Sequence, residues 1–313
     1  MRQLVAFLFP GQGSQRVGMG KDLYLNFRSA KEVFDEADEV LGFHLSRLCF
    51  EGPEDELVQT NNVQPAVLTV SIACLRAACE MYGTAVLQPD FVSGHSLGEY
   101  TALVAGGALT FADAVRLVRK RGQLMHEAAK QCPGGMLAII GLDEQTVSEV
   151  CKVADVEISN INSPEQIVVS GQIEKLAKAK ELAAANGALR VIPLKVSGAF
   201  HSRLMAPAAL ELRSLIEKTP INDPVVPLVA NTNARILTKA ADIKLELFDQ
   251  LTHCVRWLDC VRTMIHAGTS VFFEIGPGDV LTGLLKRIDS SVQGYNVNDL
   301  KSLSRLKEIT AKI

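Results

Sequence analysis

The sequence predicts an α/β fold carrying a small inserted unit, and three observations lead there. A short apolar stretch, Phe91-Val92-Ser93, runs into Gly94-His95-Ser96-Leu97-Gly98 and on into an Ala- and Leu-rich segment ending near Ala105. The chain opens on a continuous apolar run, Leu4 to Phe9, closed by Pro10 and the glycine-rich Gly11-Gln12-Gly13-Ser14. From residue 133 to 197 the apolar spacing reads strand, helix, strand, strand, helix, strand. The 313 residues are 48% hydrophobic but only 5% aromatic, so an aliphatic, Ala-rich core is expected.

Composition narrows the function classes. A formal net charge of -3 leaves no basic excess, so nucleic acid is not an expected partner. No apolar run reaches the ~18 residues a membrane span needs, and no membrane association is expected. The opening apolar run is too short for a secretory leader and meets no small-residue cleavage site, so it reads as the first buried strand. Seven scattered cysteines, none in C-x-x-C spacing, read as small buried hydrophobes in a reducing compartment. A cytoplasmic location is expected, with no metal site.

Taken in order, Leu4 to Phe9 is strand one. The following loop lacks both G-x-G-x-x-G and a Walker lysine, so nucleotide binding is not indicated. It offers backbone N–H groups to a developing negative charge, or serves as a plain strand-to-helix connection. Ala30, Val33, Phe34, Ala37, Val40 and Leu41 have helical spacing. Asn61 to Pro65 precedes a long helix over 66–81, apolar nearly all round and therefore central.

Gly94 to Gly98 fits a nucleophile elbow, a strand turning sharply into a helix where a Cβ would collide. Ser96 would then present its Oγ, with the Leu97 N–H facing an oxyanion. The same residues also suit a serine that merely caps a helix. A helix over 111–129 carries Arg116, Arg119, Lys120 and Arg121, of which the first three read as a solvated face.

Strands over 136–140, 156–162, 166–170 and 189–196, with helices over 143–153 and 172–185, make the ferredoxin-like β-α-β-β-α-β order. The expected boundaries are 1–132 and 198–313 for the larger subdomain and 133–197 for the insertion, with a ligand cleft between them. Further on, a strand at 227–231, helices at 243–251 and 261–267, a strand at 270–274 and an amphipathic helix at 299–313 complete the pattern.

His201 lies in Ser197-Gly198-Ala199-Phe200-His201-Ser202, a small-residue turn and not a helical face, which makes it the best base among six histidines. His44, His95, His126 and His266 fit surface or core placement. Ser96 with His201 implies acyl transfer through an acyl-enzyme. The acid of a hydrolase triad should fall between them, yet every acidic residue from Asp143 to Glu181 lies in the insertion and none ends an obvious strand. A backbone carbonyl holding the imidazole would give a dyad, suited to an activated thioester.

Phe9-Pro10-Gly11-Gln12-Gly13-Ser14-Gln15, Gln64-Pro65-Ala66, Gly94 to Tyr100 and Arg121-Gly122 resemble motifs of the malonyl-CoA:acyl carrier protein transacylase family. Asn162-Ser163-Pro164, Phe200-His201, Gln250-Leu251 and Glu274 to Gly278 extend the resemblance, in order, over nearly the whole chain. It implies an α/β-hydrolase-like larger subdomain with the ferredoxin-like insertion. It implies Ser96 as nucleophile, His201 as base, and the N–H groups of Gln12 and Leu97 as oxyanion hole. Arg121 would grip the malonyl carboxylate with its planar fork, the Gln250 carbonyl would orient His201, and Asn162 would line the site.

Malonyl-CoA and acyl carrier protein are the implied partners, with no cofactor and a monomeric chain. Phe200 would crowd an α-methyl branch and so favour malonyl over methylmalonyl, or else simply pack beneath the histidine. The chain departs from the family at Thr252-His253-Cys254-Val255, where a proline is usual. That leaves the Gln250 carbonyl less constrained and places His253 nearby as a competing base. The other readings are a trans-acting acyltransferase of a polyketide synthase, a serine thioesterase or hydrolase, and a non-catalytic carrier-binding module. Lys195, Arg203, Lys286 and Arg287 are the candidate cations for an acidic carrier.

Overall fold

Alternation along one strand organises the molecule. In the computed structural model, which describes residues 3–83 and 88–310, β1 (Leu4–Phe9) is central and almost wholly buried. Val5, Phe7 and Phe9 point to one face, into the core shared with the helices Thr60–Tyr82 and Phe111–Gln131. Ala6 and Leu8 point to the other, against the helices Trp257–His266 and Val280–Ile288. A strand covered on both faces must be apolar throughout, which is why Leu4 to Phe9 shows no polar break.

β1 pairs in parallel with β2 (Phe91–Gly94) on one side and, further along the chain, with the strand Thr269–Ile275 on the other. The second sheet comes from the middle of the chain: β3 (Gly134–Ile140), β4 (Glu157–Ser163), β5 (Gln166–Gln172) and β6 (Arg190–Pro193), in the antiparallel order β4-β5-β3-β6. The first sheet is completed by β7 (Leu228–Val229), β8 (Ile236–Leu237), β9 (Thr269–Ile275) and β10 (Gln293–Val297), giving the order β10-β9-β1-β2-β7-β8. Only β8 runs antiparallel to its neighbour.

The small sheet also has two apolar faces. Leu137, Ile139, Ile167 and Val169 form a separate core with the helices Glu144–Ala154 and Ile173–Ala185. Met136, Ala138 and Val168, on alternate positions of the same strands, face the large core instead. The small sheet therefore roofs the space above the carboxyl ends of β1 and β2.

Several elements differ from the sequence-based expectation. The central helix begins at Thr60, with Pro65 inside it. Proline cannot bond the Asn61 carbonyl one turn back, and Arg119 donates to that carbonyl instead at 2.7 Å. Arg119 also bonds Asn62 Oδ1 and lies over the Phe43 ring, so it is a helix-joining residue and not a solvated cation.

β6 stops at Pro193, short of the expected 196, because Val196 N–H turns back to the Leu194 carbonyl. The helix expected over 243–251 is Ala240–Asp249, which leaves Gln250 just past its end. The helix expected from 261 begins at Trp257, and β10, a partly polar edge strand, was not expected. The last helix spans Leu300–Thr310; residues 311–313 of the expected 299–313 lie outside the described residues.

Contrary to the hydropathy expectation, the helix Thr60–Tyr82 is long and apolar enough to cross a membrane, but 78% of its most apolar window is buried inside the protein.

Candidate active site

The elbow forms because two backbones meet where no side chain fits. A Cβ on Gly94 would sit 1.9 Å from the Gly98 carbonyl oxygen, and one on Gly98 would sit 2.1 Å from that of Phe9. Ser96 between them adopts φ 53°, the left-handed region that L residues rarely enter. Asn231, just beyond β7, holds this turn: its Oδ1 accepts from Ser96 N–H at 2.7 Å and its Nδ2 donates to the Gly94 carbonyl at 2.8 Å. With the Ser96 amide occupied, the N–H groups of Leu97 and Gln12 border the cavity without a protein partner among the described residues.

Ser96 Oγ lies 2.8 Å from His201 Nε2. The other imidazole nitrogen, Nδ1, lies 2.8 Å from the Gln250 carbonyl oxygen. A carbonyl only accepts, so Nδ1 carries the proton and Nε2 is left as the acceptor facing the serine. His201 is itself at φ 55°. Its neighbours are pinned by Ser170 Oγ donating to the Phe200 carbonyl at 2.6 Å and Ser202 Oγ donating to the Ala199 carbonyl at 2.7 Å. Burial, and then the nearby Arg121 guanidinium, push the His201 pKa down to about 3 against the opposing pull of the Gln250 carbonyl.

Arg121 is 1% exposed. Its Nη1 donates to Gln64 Oε1 at 2.9 Å, and its Nη2 donates to Gln250 Oε1 at 2.9 Å and to Ser96 Oγ at 3.1 Å. Each of these acceptors is neutral, and Nε has no partner. Burial opposes the charge, yet a guanidinium does not lose its proton in proteins. Glu99 acts on the guanidinium only from behind Gln250. A buried cation with no hydrogen-bonded anion is costly, so this corner attracts a carboxylate.

These groups open on a cavity of about 230 Å³ between the two sheets. The loop Gly11–Ser14 forms one wall; Met125, Met136, Val168, Leu194, Val196 and Phe200 form an apolar one; Val280, Leu281 and Leu284 close the side. Phe200 both lines the cavity and packs into the main core. Asn162 lines it too, its Oδ1 2.9 Å from Nε2 of His95, a half-buried ring that also borders the cavity.

His253 is exposed and outside the cavity lining, its Nδ1 2.8 Å from the Asp249 carbonyl. The proline-free loop is tied down by Val255 N–H to the Ser159 carbonyl at 2.8 Å and Ile161 N–H to the Val255 carbonyl at 2.9 Å. Of the docking cations, Arg203 is paired with Asp155 and Glu157. Lys195, Lys286 and Arg287 are exposed; in sequence Lys195 falls between the cavity-lining Leu194 and Val196, and the other two follow Leu284 by two and three residues.

The structure thus gathers Ser96, His201, Arg121, Gln250, Gln12, Leu97, Phe200 and Asn162 around one space. Sequence reasoning gave no role to Gln64, Glu99 or Asn231. The first two fall within the motifs it quoted, and Asn231 sits at the carboxyl end of a strand in the parallel sheet, where α/β sites concentrate.

A strained serine facing an imidazole, beneath two unpartnered amides, equips the cleft for acyl transfer through a serine ester, which is the chemistry of a serine acyltransferase. The comparisons agree with that class. The family profile described as acyl transferase domain matches residues 6–307. The malonyl CoA-acyl carrier protein transacylase of Bacillus subtilis is 48% identical over 304 residues, covering 96% of this chain and 95% of the relative.

Among solved structures, the acyl-carrier-protein S-malonyltransferase of Burkholderia pseudomallei superposes with a TM-score of 0.93 at 44% identity, covering 97% of this chain and 99% of that one. A malonyl-transacylase in complex with its type II polyketide synthase acyl carrier protein gives 0.94 at 41% identity, covering 98% and 99%. The chain belongs to the malonyl-CoA:acyl carrier protein transacylase family.

Proposed function

We propose that this chain transfers the malonyl group of malonyl-CoA to the phosphopantetheine thiol of an acyl carrier protein, through an ester on Ser96, for fatty acid biosynthesis. The observation that carries the reading is Arg121, a buried guanidinium with only neutral partners, 3.1 Å from the Ser96 hydroxyl. It accounts for a substrate whose acyl group ends in a carboxylate.

Ser96 Oγ attacks the thioester carbonyl carbon while its proton passes to His201 Nε2. The N–H groups of Gln12 and Leu97 take the oxyanion. Collapse breaks the C–S bond, and the departing CoA sulfur takes the proton from His201. In the second half the carrier thiol gives its proton to His201 and attacks the malonyl ester, and Ser96 leaves with that proton. The Gln250 carbonyl keeps Nε2 facing the reaction throughout. Proton movements stay among Ser96, His201 and the two thiols, so the reaction draws on no cofactor and no metal.

One chain supplies every group the chemistry uses, consistent with a monomer. Exposed Lys195, Lys286 and Arg287 are the cations assigned to an acidic carrier. The seven unpaired cysteines suit a reducing, cytoplasmic setting. Service to a polyketide synthase is a second reading, favoured by the carrier-bound relative.

The test is discharge of the isolated malonyl-enzyme. With holo carrier protein added, the malonyl group moves to the carrier thiol faster than water releases it. Release as free malonate with no gain on the carrier would make the protein a hydrolase. Running fatty acid and polyketide carriers side by side separates the two transferase readings.

A further inference from the structure

Glu99 is a buried carboxylate to which the transfer chemistry gives no task. It stands in the first turn of the helix Gly98–Ala105, fully buried behind the nucleophile. Burial, and the neighbouring carboxylate of Glu246, hold its pKa above the usual range. A carboxylate is costly to bury, and the hydrogen bonds made by Glu99 show where it acts.

One oxygen accepts from the Asn231 N–H at 2.9 Å, and the other accepts from Gln250 Nε2. Gln250 Nε2 also donates to the Ser96 carbonyl at 2.9 Å, while its Oε1 accepts from Arg121 Nη2 at 2.9 Å. A glutamine amide can sit in two orientations. Only one suits these neighbours: Arg121 can only donate and the Ser96 carbonyl can only accept, so Nε2 faces Glu99. Both partners of Glu99 donate, which favours the accepting, ionised carboxylate against the burial that raises its pKa. Glu99 and Arg121 therefore pin the amide from opposite ends. The backbone of the same residue carries the carbonyl that meets His201 Nδ1. On its other side, Glu99 fixes the backbone of Asn231, whose side chain holds the elbow through Ser96 N–H and the Gly94 carbonyl.

We propose that Glu99 is a positioning residue for acyl transfer: its carboxylate sets the Gln250 amide, and with it Arg121, and sets Asn231, and with it the Ser96 elbow. This rests on the roles of Ser96, His201 and Arg121 given under Proposed function.

Glu99→Gln tests it by reversing polarity at nearly constant volume. The new side chain must offer its oxygen to the Asn231 N–H, so its NH2 faces the Gln250 NH2. Gln250 then turns over and presents a donor to Arg121. Preference for malonyl-CoA over acetyl-CoA, read as relative rates of Ser96 acylation, should fall about tenfold, the scale of one lost bond to a charged group. Glu99→Asp, shorter but still an acceptor, should lose only about threefold.

Polarity thus predicts the order wild type, Asp, Gln, whereas simple packing predicts that Gln outranks Asp. Gln equal to or better than Asp, or both variants within about twofold of wild type, would overturn the proposal. Should Glu99→Gln not fold, Glu99→Asp decides alone: selective loss of malonyl transfer supports the proposal, and unchanged preference overturns it. Failure of both to fold makes Glu99 scaffolding and also overturns it. Wild-type protein that forms no malonyl ester on Ser96 would instead sink the underlying reading, a separate result in the same assay.

Discussion

Arg121→Ala slows malonylation of Ser96 by about 10²- to 10³-fold while acetylation from acetyl-CoA falls far less, so preference for the carboxylated donor collapses. The magnitude follows from removing one member of a buried, hydrogen-bonded charge pair, roughly 2–5 kcal/mol. It is large here because the guanidinium is 1% exposed and has only neutral partners in the resting site. The incoming carboxylate would be its first anionic partner among these contacts. Arg121→Lys should recover little, since a lysine ammonium is a point charge that cannot hold Gln64, Gln250 and a carboxylate at fixed angles together. Rates of Ser96 acylation by the two donors measure this. An unchanged malonyl-to-acetyl ratio in Arg121→Ala would remove Arg121 from substrate recognition.

His201→Ala slows formation of the malonyl-enzyme by about 10³- to 10⁴-fold, the upper range for loss of a general base. His95 also borders the cavity, but its Nε2 is held 2.9 Å from Asn162 Oδ1, and His253 is exposed and outside the lining, so neither replaces His201 at the Ser96 hydroxyl. The pH dependence carries a further signature. With the His201 pKa pushed down to about 3 by burial and Arg121, the imidazole stays neutral far below the ordinary value of about 6.5. The acid limb of kcat/KM for the first half-reaction should therefore lie below about pH 5.

Stability moves in the same window. The unfolded chain takes up a proton at this histidine below about pH 6.5, and the folded chain does not until about pH 3. The contribution is thus present above about 6.5 and is lost as pH falls towards 3. His201→Ala should flatten that part of the stability profile. An acid limb near 6.5 that persists in Arg121→Ala would contradict the assigned environment.

Much of this site was legible because its chemistry is carried by short motifs. Gly94 to Gly98 reveals the elbow, since the Gly94 clash is with the elbow's own backbone, while the Gly98 clash is with Phe9 on the neighbouring strand. The continuous apolar run Leu4 to Phe9 marked the first buried strand, and the order of elements from 133 to 197 marked the insertion, because both patterns are local. What stayed hidden depends on distant pairings.

Asn231 and Glu99 lie 132 positions apart in sequence, and Gln250 and Glu99 lie 151 apart. No periodicity signals such a buried polar cluster. The role of Gln250 came only through the family resemblance; its carbonyl, just past the helix that ends at Asp249, has no intrahelical partner and meets His201 Nδ1. Arg119 was misread for a related reason. Its position on the helix looked solvent-facing, but Pro65 on the adjacent helix left the Asn61 carbonyl in need of a donor. β10 escaped notice because an edge strand flanked by solvent carries polar residues that blur its pattern.

The most direct test of the covalent route is the intact mass of wild-type protein and Ser96→Ala after brief mixing with malonyl-CoA and an acid quench. A single malonyl increment on wild type that maps to Ser96, and none on the variant, is the predicted result. An increment that survives in Ser96→Ala, or steady release of CoA with no increment on either protein, would contradict transfer through a serine ester.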